Sequence, residues 1–410
     1  MPRIHPADEQ ATLDLAVTAK SGEHTRVIDR VFLVLLALFL IGFGVAIYIL
    51  PQESFSEQEN RALQTMPKLS LKALTDNEFS ADIADFYADQ FPARSAFVGL
   101  KTLSEMSLLR FENNGVLIGK NDYLIKRLEY DENGYENIRA NTKAIAEFKR
   151  VMAEREIPVT LAIAPRGVDV LTAYLPDYYD TARAEAAWKI VEESAAENGI
   201  TPVLFADKLR ATAQPGEKQV WFRTDHHWTP WGAYLAYTQL GETLGYSPIS
   251  PAALTEETVT APFYGTTYSS AGISRARADT LTFYHIPNEE RFLCEIVDTG
   301  KSFEGFYDRS YLDTKDKYSA LIGGNNGRVR ITDTQNPDKP TLLLIKDSFA
   351  HAMVPYLAAH YNLEILDLRY WRGSTSELAA EIGADHVLIL TGLDSLATAK
   401  TYELLRFGLK

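Results

Sequence analysis

From Tyr135 onward, stretches of helical spacing alternate with short uninterrupted apolar runs, and this alternation limits the possible folds more than any other property of the chain. Helices are predicted near Tyr135 to Glu154 and Ala182 to Asn198, with strands at Val159 to Ala164 and Pro202 to Ala206. The pattern resumes with strands at Thr341 to Ile345, Leu363 to Leu368 and His386 to Leu390, separated by helices near Ala350 to His360 and Glu377 to Ile382. Strands apolar on both faces, joined by helices, imply an α/β domain built on a parallel sheet covered on both sides. Between the two halves, Leu254 to Pro340 is richer in Gly, Thr, Tyr and Asp, with short β-like runs at Thr280 to Tyr284 and Arg328 to Ile331, and reads as a β-rich insertion or lobe.

The N-terminal part is of another kind. Val31 to Leu50 contains no charge, and 20 helical residues span roughly 30 Å, the thickness of a hydrocarbon core. A retained transmembrane anchor is predicted; the alternative is a signal peptide, but the run exceeds the usual h-region and no small-residue cleavage site follows Leu50. Arg26 and Arg30 precede the run, so residues 1–30 are expected in the cytoplasm and the rest outside the cell membrane. Residues 51–130 then read as a juxtamembrane and helical or hairpin region: amphipathic helices around Phe79 to Phe86 and Phe97 to Leu103, broken at Pro92, and a hairpin at Val116 to Ile125. Residues 131–410 form the α/β domain, with the insertion at about 254–340.

Of the net charge of −14, the first fifty residues supply −1, which leaves an acidic exterior and argues against nucleic acid as a partner. The one cysteine, Cys294, cannot form an internal disulfide and is expected to be a packed side chain. No cofactor-binding motif is read.

Chemistry concentrates in two segments. Asp225-His226-His227-Trp228 lies just before a helix start, with Thr229 suited to the N-cap and Pro230 to the first helical position. In extended chain, residues two apart share a face, so Asp225 and His227 are expected together, with His226 pointing away. The second segment, Lys346-Asp347-Ser348-Phe349, sits where a strand ends and a helix begins, the place where α/β sheets bind ligands and where backbone N–H groups can meet an oxyanion. If the fold joins them, Asp225, His227 and Ser348 form an acid-base-nucleophile relay. Local capping by both segments is the plainer reading, and a metal site of two imidazoles and a carboxylate is another, without a further ligand of similar strength nearby. Rival nucleophiles are Ser269 and Ser270, in a Gly- and Tyr-rich loop better suited to a substrate wall. The stretch Asp316 to Asn325 offers Tyr318, Gly324 and Asn325 as oxyanion or substrate contacts, against the plain reading of a turn. Trp228, Trp231, Tyr370 and Trp371 could stack on sugar faces or pack a core, and Arg369, His226 and Trp228 are further candidate oxyanion or substrate contacts.

With these residues in view, the chain resembles the bacterial DHHW family, in the run Asp225 to Trp228, in Glu59-Asn60-Arg61 and Asp89-Gln90-Phe91-Pro92, in Lys315 to Asn325, and in Lys346-Asp347-Ser348 with Asp367-Leu368-Arg369-Tyr370. That family is similar to the SGNH-hydrolase-like proteins of alginate acetylation, which carry Asp-x-His-Trp ahead of the serine strand. Against ordinary SGNH enzymes two departures stand out: Lys346 replaces the Gly of the usual Gly-Asp-Ser, and one residue rather than two separates Asp from His. The resemblance implies a flavodoxin-like sheet, a site outside the membrane, and work alongside a membrane-bound O-acyltransferase. The expected function is an anchored O-acyltransferase or esterase, O-acetyl in type, acting on a cell-surface or cell-wall glycan. The alternative is a non-catalytic glycan-binding or assembly component of an envelope acylation complex; a metal-dependent hydrolase is a third reading.

Overall fold

The computed structural model describes residues 6–56, 61–69, 78–107, 111–273 and 276–409, so Glu59 and Asn60 of the N-terminal motif lie outside the described residues. The chain separates into two compact units, residues 1–98 and 99–410. In the first, one helix runs over Pro6–Ile49. Its segment Ile28–Ile49, 22 residues of mean hydropathy 2.8, is long and apolar enough to cross a membrane. Among the described residues most of its side chains stay exposed: Phe32 is 63% exposed and Leu38 63%. A second helix, Glu78–Asp89, ends short of Pro92, as the broken periodicity predicts.

The second unit is built on a mixed eight-stranded sheet. Its strands are β1 Val159–Ala164, β2 Val203–Leu204, β3 Phe292–Ile296, β4 Lys301–Glu304, β5 Arg328–Asp333, β6 Thr341–Lys346, β7 Asn362–Leu366 and β8 His386–Gly392. In space they lie in the order β4-β3-β5-β7-β6-β8-β1-β2. From β7 to β2 all pairings are parallel, while β5 runs antiparallel to β7, β3 to β5 and β4 to β3. Numbered along the chain, the five parallel strands stand 4-3-5-1-2; numbered from β6, which leads to Ser348, they stand 2-1-3-4-5.

The all-parallel sheet expected from the sequence is therefore corrected to a mixed one. Three strands of the insertion extend the sheet beyond β7, and the reason is visible in their side chains. Along β5, buried residues alternate with partly exposed ones, the pattern of an antiparallel strand with one wet face, whereas β6 is buried from Leu342 to Lys346. The insertion also forms a separate two-stranded antiparallel sheet, Thr255–Phe263 with Asp279–His285.

Alternate residues of β6 feed two cores. Leu342 and Leu344 pack on one face with Phe349, Met353 and Leu357, and Leu343 and Ile345 on the other with Ile145, Phe148 and Leu396. Each such side chain contributes about 1.5–3 kcal/mol by leaving water. The helix Glu132–Ala153 covers the second face, its apolar residues Ile138, Ile145, Phe148 and Met152 recurring at helical spacing. Cys294 on β3 is fully buried, as expected.

Candidate active site

The Asp225 to Trp228 segment is held on a closed loop. Trp221 and Trp228 pair as an antiparallel bridge, and the Phe222 N–H donates to the His227 carbonyl at 3.2 Å. A buried carboxylate, Asp279, pins the near side by accepting from the N–H of Arg223 (2.9 Å), the N–H of Thr224 (2.7 Å) and the Thr224 hydroxyl (2.6 Å). On the far side Thr229 caps the helix Pro230–Leu244, its hydroxyl accepting from Gly232 N at 3.1 Å.

Ser348 opens the short helical turn Ser348–Ala352 directly after β6. Asp347 fixes this turn: its carboxylate accepts from the N–H groups of Phe349 (3.0 Å) and Gly392 (2.6 Å) and from the Ser395 hydroxyl (2.7 Å). The Ser348 N–H is among the donors that a helix start leaves without an internal partner. Trp228 ties the two segments together, with Nε1 donating to the Phe349 carbonyl at 2.9 Å.

Asp225, His227 and Ser348 meet. His227 Nδ1 lies 2.6 Å from Asp225 Oδ1, and its Nε2 lies 2.8 Å from Ser348 Oγ. The imidazole cannot turn freely, because Tyr318 stacks on one face (4.0 Å between centroids, 4°) and His226 packs on it at 3.8 Å. Tyr318 also donates its hydroxyl to the Ser348 carbonyl at 3.1 Å. Burial alone pushes the Asp225 carboxyl up, but the imidazoles of His227 and His226 and the donors from His227 and Thr266 outweigh it and hold the group far below the usual carboxylate range. An anion fixed behind one imidazole nitrogen, with a serine hydroxyl on the other, can carry a proton off the hydroxyl as it attacks a carbonyl.

Ser348 opens on a cleft of about 220 Å³ lined also by His226, Lys346, Asp347, Arg369 and Asp394. His226 therefore does not point away from the site: the loop is closed rather than extended, and its ring forms part of the cleft wall. Lys346, which replaces the usual glycine, turns inward. Its ammonium donates to Asp367 Oδ2 (3.2 Å) and His351 Nε2 (2.8 Å), so it crowds neither the serine nor its N–H. Burial pushes Lys346 below its ordinary value, with Asp367 opposing, and burial together with Lys346 keeps His351 well below its own. Arg369 is held by Asp367, Nε to Oδ1 at 2.8 Å and Nη2 to Oδ2 at 2.5 Å, with one edge on the cleft.

Gly324 and Asn325 do not line the cleft; Asn325 reaches it only through Arg369, whose Nη2 donates to its Oδ1 at 3.0 Å. Trp228 is fully buried as a clamp and is closed to a sugar, and Trp231 stacks on Tyr234 at 5.0 Å. Ser269 and Ser270 bond back to carbonyls of Gly265 and Thr266 within the helix Thr266–Ala271. The loop before that helix is the seat of Asp225, whose Oδ2 accepts from the Thr266 N–H (2.7 Å) and hydroxyl (3.1 Å). Thr266, Asp279 and His351 were not legible as site residues, since each acts through a partner distant in sequence. Ligand atoms of Asp225, His226 and His227 lie within 4.8 Å of one another, but Asp225, both nitrogens of His227 and Nδ1 of His226 are engaged in hydrogen bonds to each other, to Thr266 and to Ser348, which leaves His226 Nε2.

Fold and site together define an α/β protein with a carboxylate–imidazole–hydroxyl chain at the carboxyl edge of its parallel strands. Residues 116–291 match the family model for the SGNH hydrolase-like domain of acetyltransferase AlgX, a span that contains Asp225 and His227 and stops before Ser348. Among curated relatives, the probable alginate O-acetylase AlgJ of Pseudomonas syringae pv. tomato is 29% identical over 186 residues, 44% of this chain and 47% of that protein. The chain thus spans about half the length of the curated relatives it matches. A DHHW family protein from Eubacterium siraeum shares the fold with a TM-score of 0.59 at 21% identity, covering 72% of this chain and 95% of that one. Bacillus cereus PatB1 does so with a TM-score of 0.57 at 19% identity, covering 70% and 98%. The likeness to the SGNH-hydrolase-like proteins of alginate acetylation read from the motifs is matched in sequence by these relatives, and the likeness to the DHHW protein is one of fold.

Proposed function

We propose that this chain is a membrane-anchored O-acetyltransferase or acetylesterase acting on a glycan outside the cell. One observation carries the reading: the Ser348 hydroxyl sits 2.8 Å from an imidazole that is backed by a carboxylate at 2.6 Å. Ser348 Oγ attacks the acyl carbonyl while His227 Nε2 takes its proton, and Asp225 stabilises the resulting imidazolium. His227 returns the proton to the leaving oxygen, and an acceptor hydroxyl or water then releases the acyl group by the reverse sequence. The Ser348 N–H at the helix start supplies an oxyanion donor in place of Gly324 or Asn325. Similarity to the AlgJ alginate O-acetylases supports an acetyl group and a polysaccharide acceptor. The helix Ile28–Ile49 supports an anchor with the N-terminus in the cytoplasm, and a membrane-bound O-acyltransferase is the fitting acyl supplier. The order 2-1-3-4-5 counted from β6 is that of a flavodoxin-like sheet whose chain is opened between β2 and β6, which explains why the acid and base precede the serine.

The test is release of 4-nitrophenol from 4-nitrophenyl acetate by the detergent-solubilised chain beside His227→Ala. Turnover that falls by about 10³-fold or more in the variant supports the enzyme. Equal rates leave a non-catalytic glycan-binding or assembly component.

A further inference from the structure

His226 takes no part in the acid-base relay, yet it forms the cleft wall beside Ser348, and its hydrogen bonds fix which of its nitrogens carries the proton. The Thr266 hydroxyl has one proton to give and two neighbours, Asp225 Oδ2 at 3.1 Å and His226 Nδ1 at 2.5 Å. If the proton went to His226, a hydroxyl lone pair would face the anionic Asp225 carboxylate. Donation to Asp225 is therefore the satisfied arrangement, and Thr266 Oγ can only accept from His226. His226 must then be protonated on Nδ1, which leaves Nε2 with a bare lone pair. Nε2 has no partner among the described residues and is not a buried atom. Burial and the adjacent His227 hold this imidazole neutral by keeping its pKa well below the ordinary value.

The cleft thus carries one imidazole in its wall, His226, while a second of different character, His227, reaches the site through Ser348, its Nε2 2.8 Å from Oγ. His227 Nε2 handles the proton of the reacting hydroxyl. His226 Nε2 offers only an acceptor, and a reacting hydroxyl cannot give its single proton to both. We propose that His226 is a specificity-determining residue that accepts a hydrogen bond from a second hydroxyl adjacent to the one being acylated, so that the acceptor is a vicinal diol of the kind a pyranose presents. This rests on the acyl-transfer reading above and names its acceptor class. In the transfer step the acceptor oxygen bonds to the acyl carbon of the Ser348 ester as its proton passes to His227 Nε2. The carbon–Oγ bond breaks, and the proton moves on to Ser348 Oγ. The neighbouring hydroxyl keeps its proton throughout, held on His226.

The experiment gives the solubilised full chain 4-nitrophenyl acetate with equimolar ethane-1,2-diol and ethanol, and measures the ratio of the two acetate esters formed. The ratio is internal to each sample and so independent of the overall rate. Wild type is expected to favour the diol by about tenfold, beyond the statistical factor of about two for its two hydroxyls. His226→Leu brings the ratio down to the statistical value, and His226→Gln, whose amide oxygen accepts, restores part of it. A wild-type ratio near the statistical value, a preference unchanged in His226→Leu, or nitrophenol release without ester from either alcohol overturns the inference and leaves the serine-esterase reading standing. Absence of nitrophenol release overturns both. Nitrogen-15 spectra of the histidines, assigned with His226→Leu, supply a readout that needs no turnover: a bare Nε2 on His226 is expected, and a protonated Nε2 contradicts the proposal.

Discussion

At the residue scale, the proposed function depends on one imidazole held in one tautomer. Asp225 does this by accepting at Oδ1 from both the side chain and the N–H of His227 (2.6 and 3.0 Å), while Thr266 saturates Oδ2. Asp225→Asn keeps the shape but can donate, which allows the unproductive tautomer; kcat on an aryl acetate is expected to fall by about 10³–10⁴-fold with little change in KM. A loss of only a fewfold contradicts the tautomer argument. The pairing of Asp225 with His227 was legible because both chemistry and spacing pointed to it. The direction of His226 was not: the two-residue period holds for extended chain, and the bridge from Trp221 to Trp228 closes this segment into a loop.

At the element scale, the site is a junction of three turns: the 221–228 loop, the elbow after β6 and the start of the helix Thr266–Ala271. Gly265 makes the third turn possible by close approach, since a Cβ there would stand 2.2 Å from Asp225 Oδ2. Gly265→Ala is expected to displace the carboxylate and lower kcat by about 10²-fold, in line with the cost of small misplacements in a catalytic group. Full kcat in this variant counts against the seat assigned to Asp225. Helix and strand positions were readable because propensity, capping and periodicity agree; Thr229, Pro230 and the run to Leu244 match the helix Pro230–Leu244. The joining of β3, β4 and β5 to the main sheet was not readable, because strand pairing over such separations leaves no local signature.

At the scale of the whole molecule, burial of neutral histidines makes stability pH-dependent. The unfolded chain takes up these protons near the ordinary value of 6.5, whereas in the fold burial lowers His226, His351 and His360, the last to about 4. Between those values the unfolded state binds more protons, so this stabilisation is complete above the unfolded value and shrinks as acid is added. The Tm of the solubilised protein is expected to drop from about pH 7 to about pH 5, and a flat or rising Tm contradicts it. Removing residues 28–49, whose helix is roughly 33 Å long, should shift the protein from the membrane to the soluble fraction, and retention in the membrane counts against the anchor. The apolar run alone made that segment legible, whereas the meeting of residues 225 and 348 is a property of the complete sheet. Activation of Ser348 is tested most directly by a fluorophosphonate probe read by mass spectrometry. A single adduct on Ser348, lost in Ser348→Ala and strongly slowed in His227→Ala, is the predicted result. An unlabelled wild type, or labelling indifferent to His227, contradicts it.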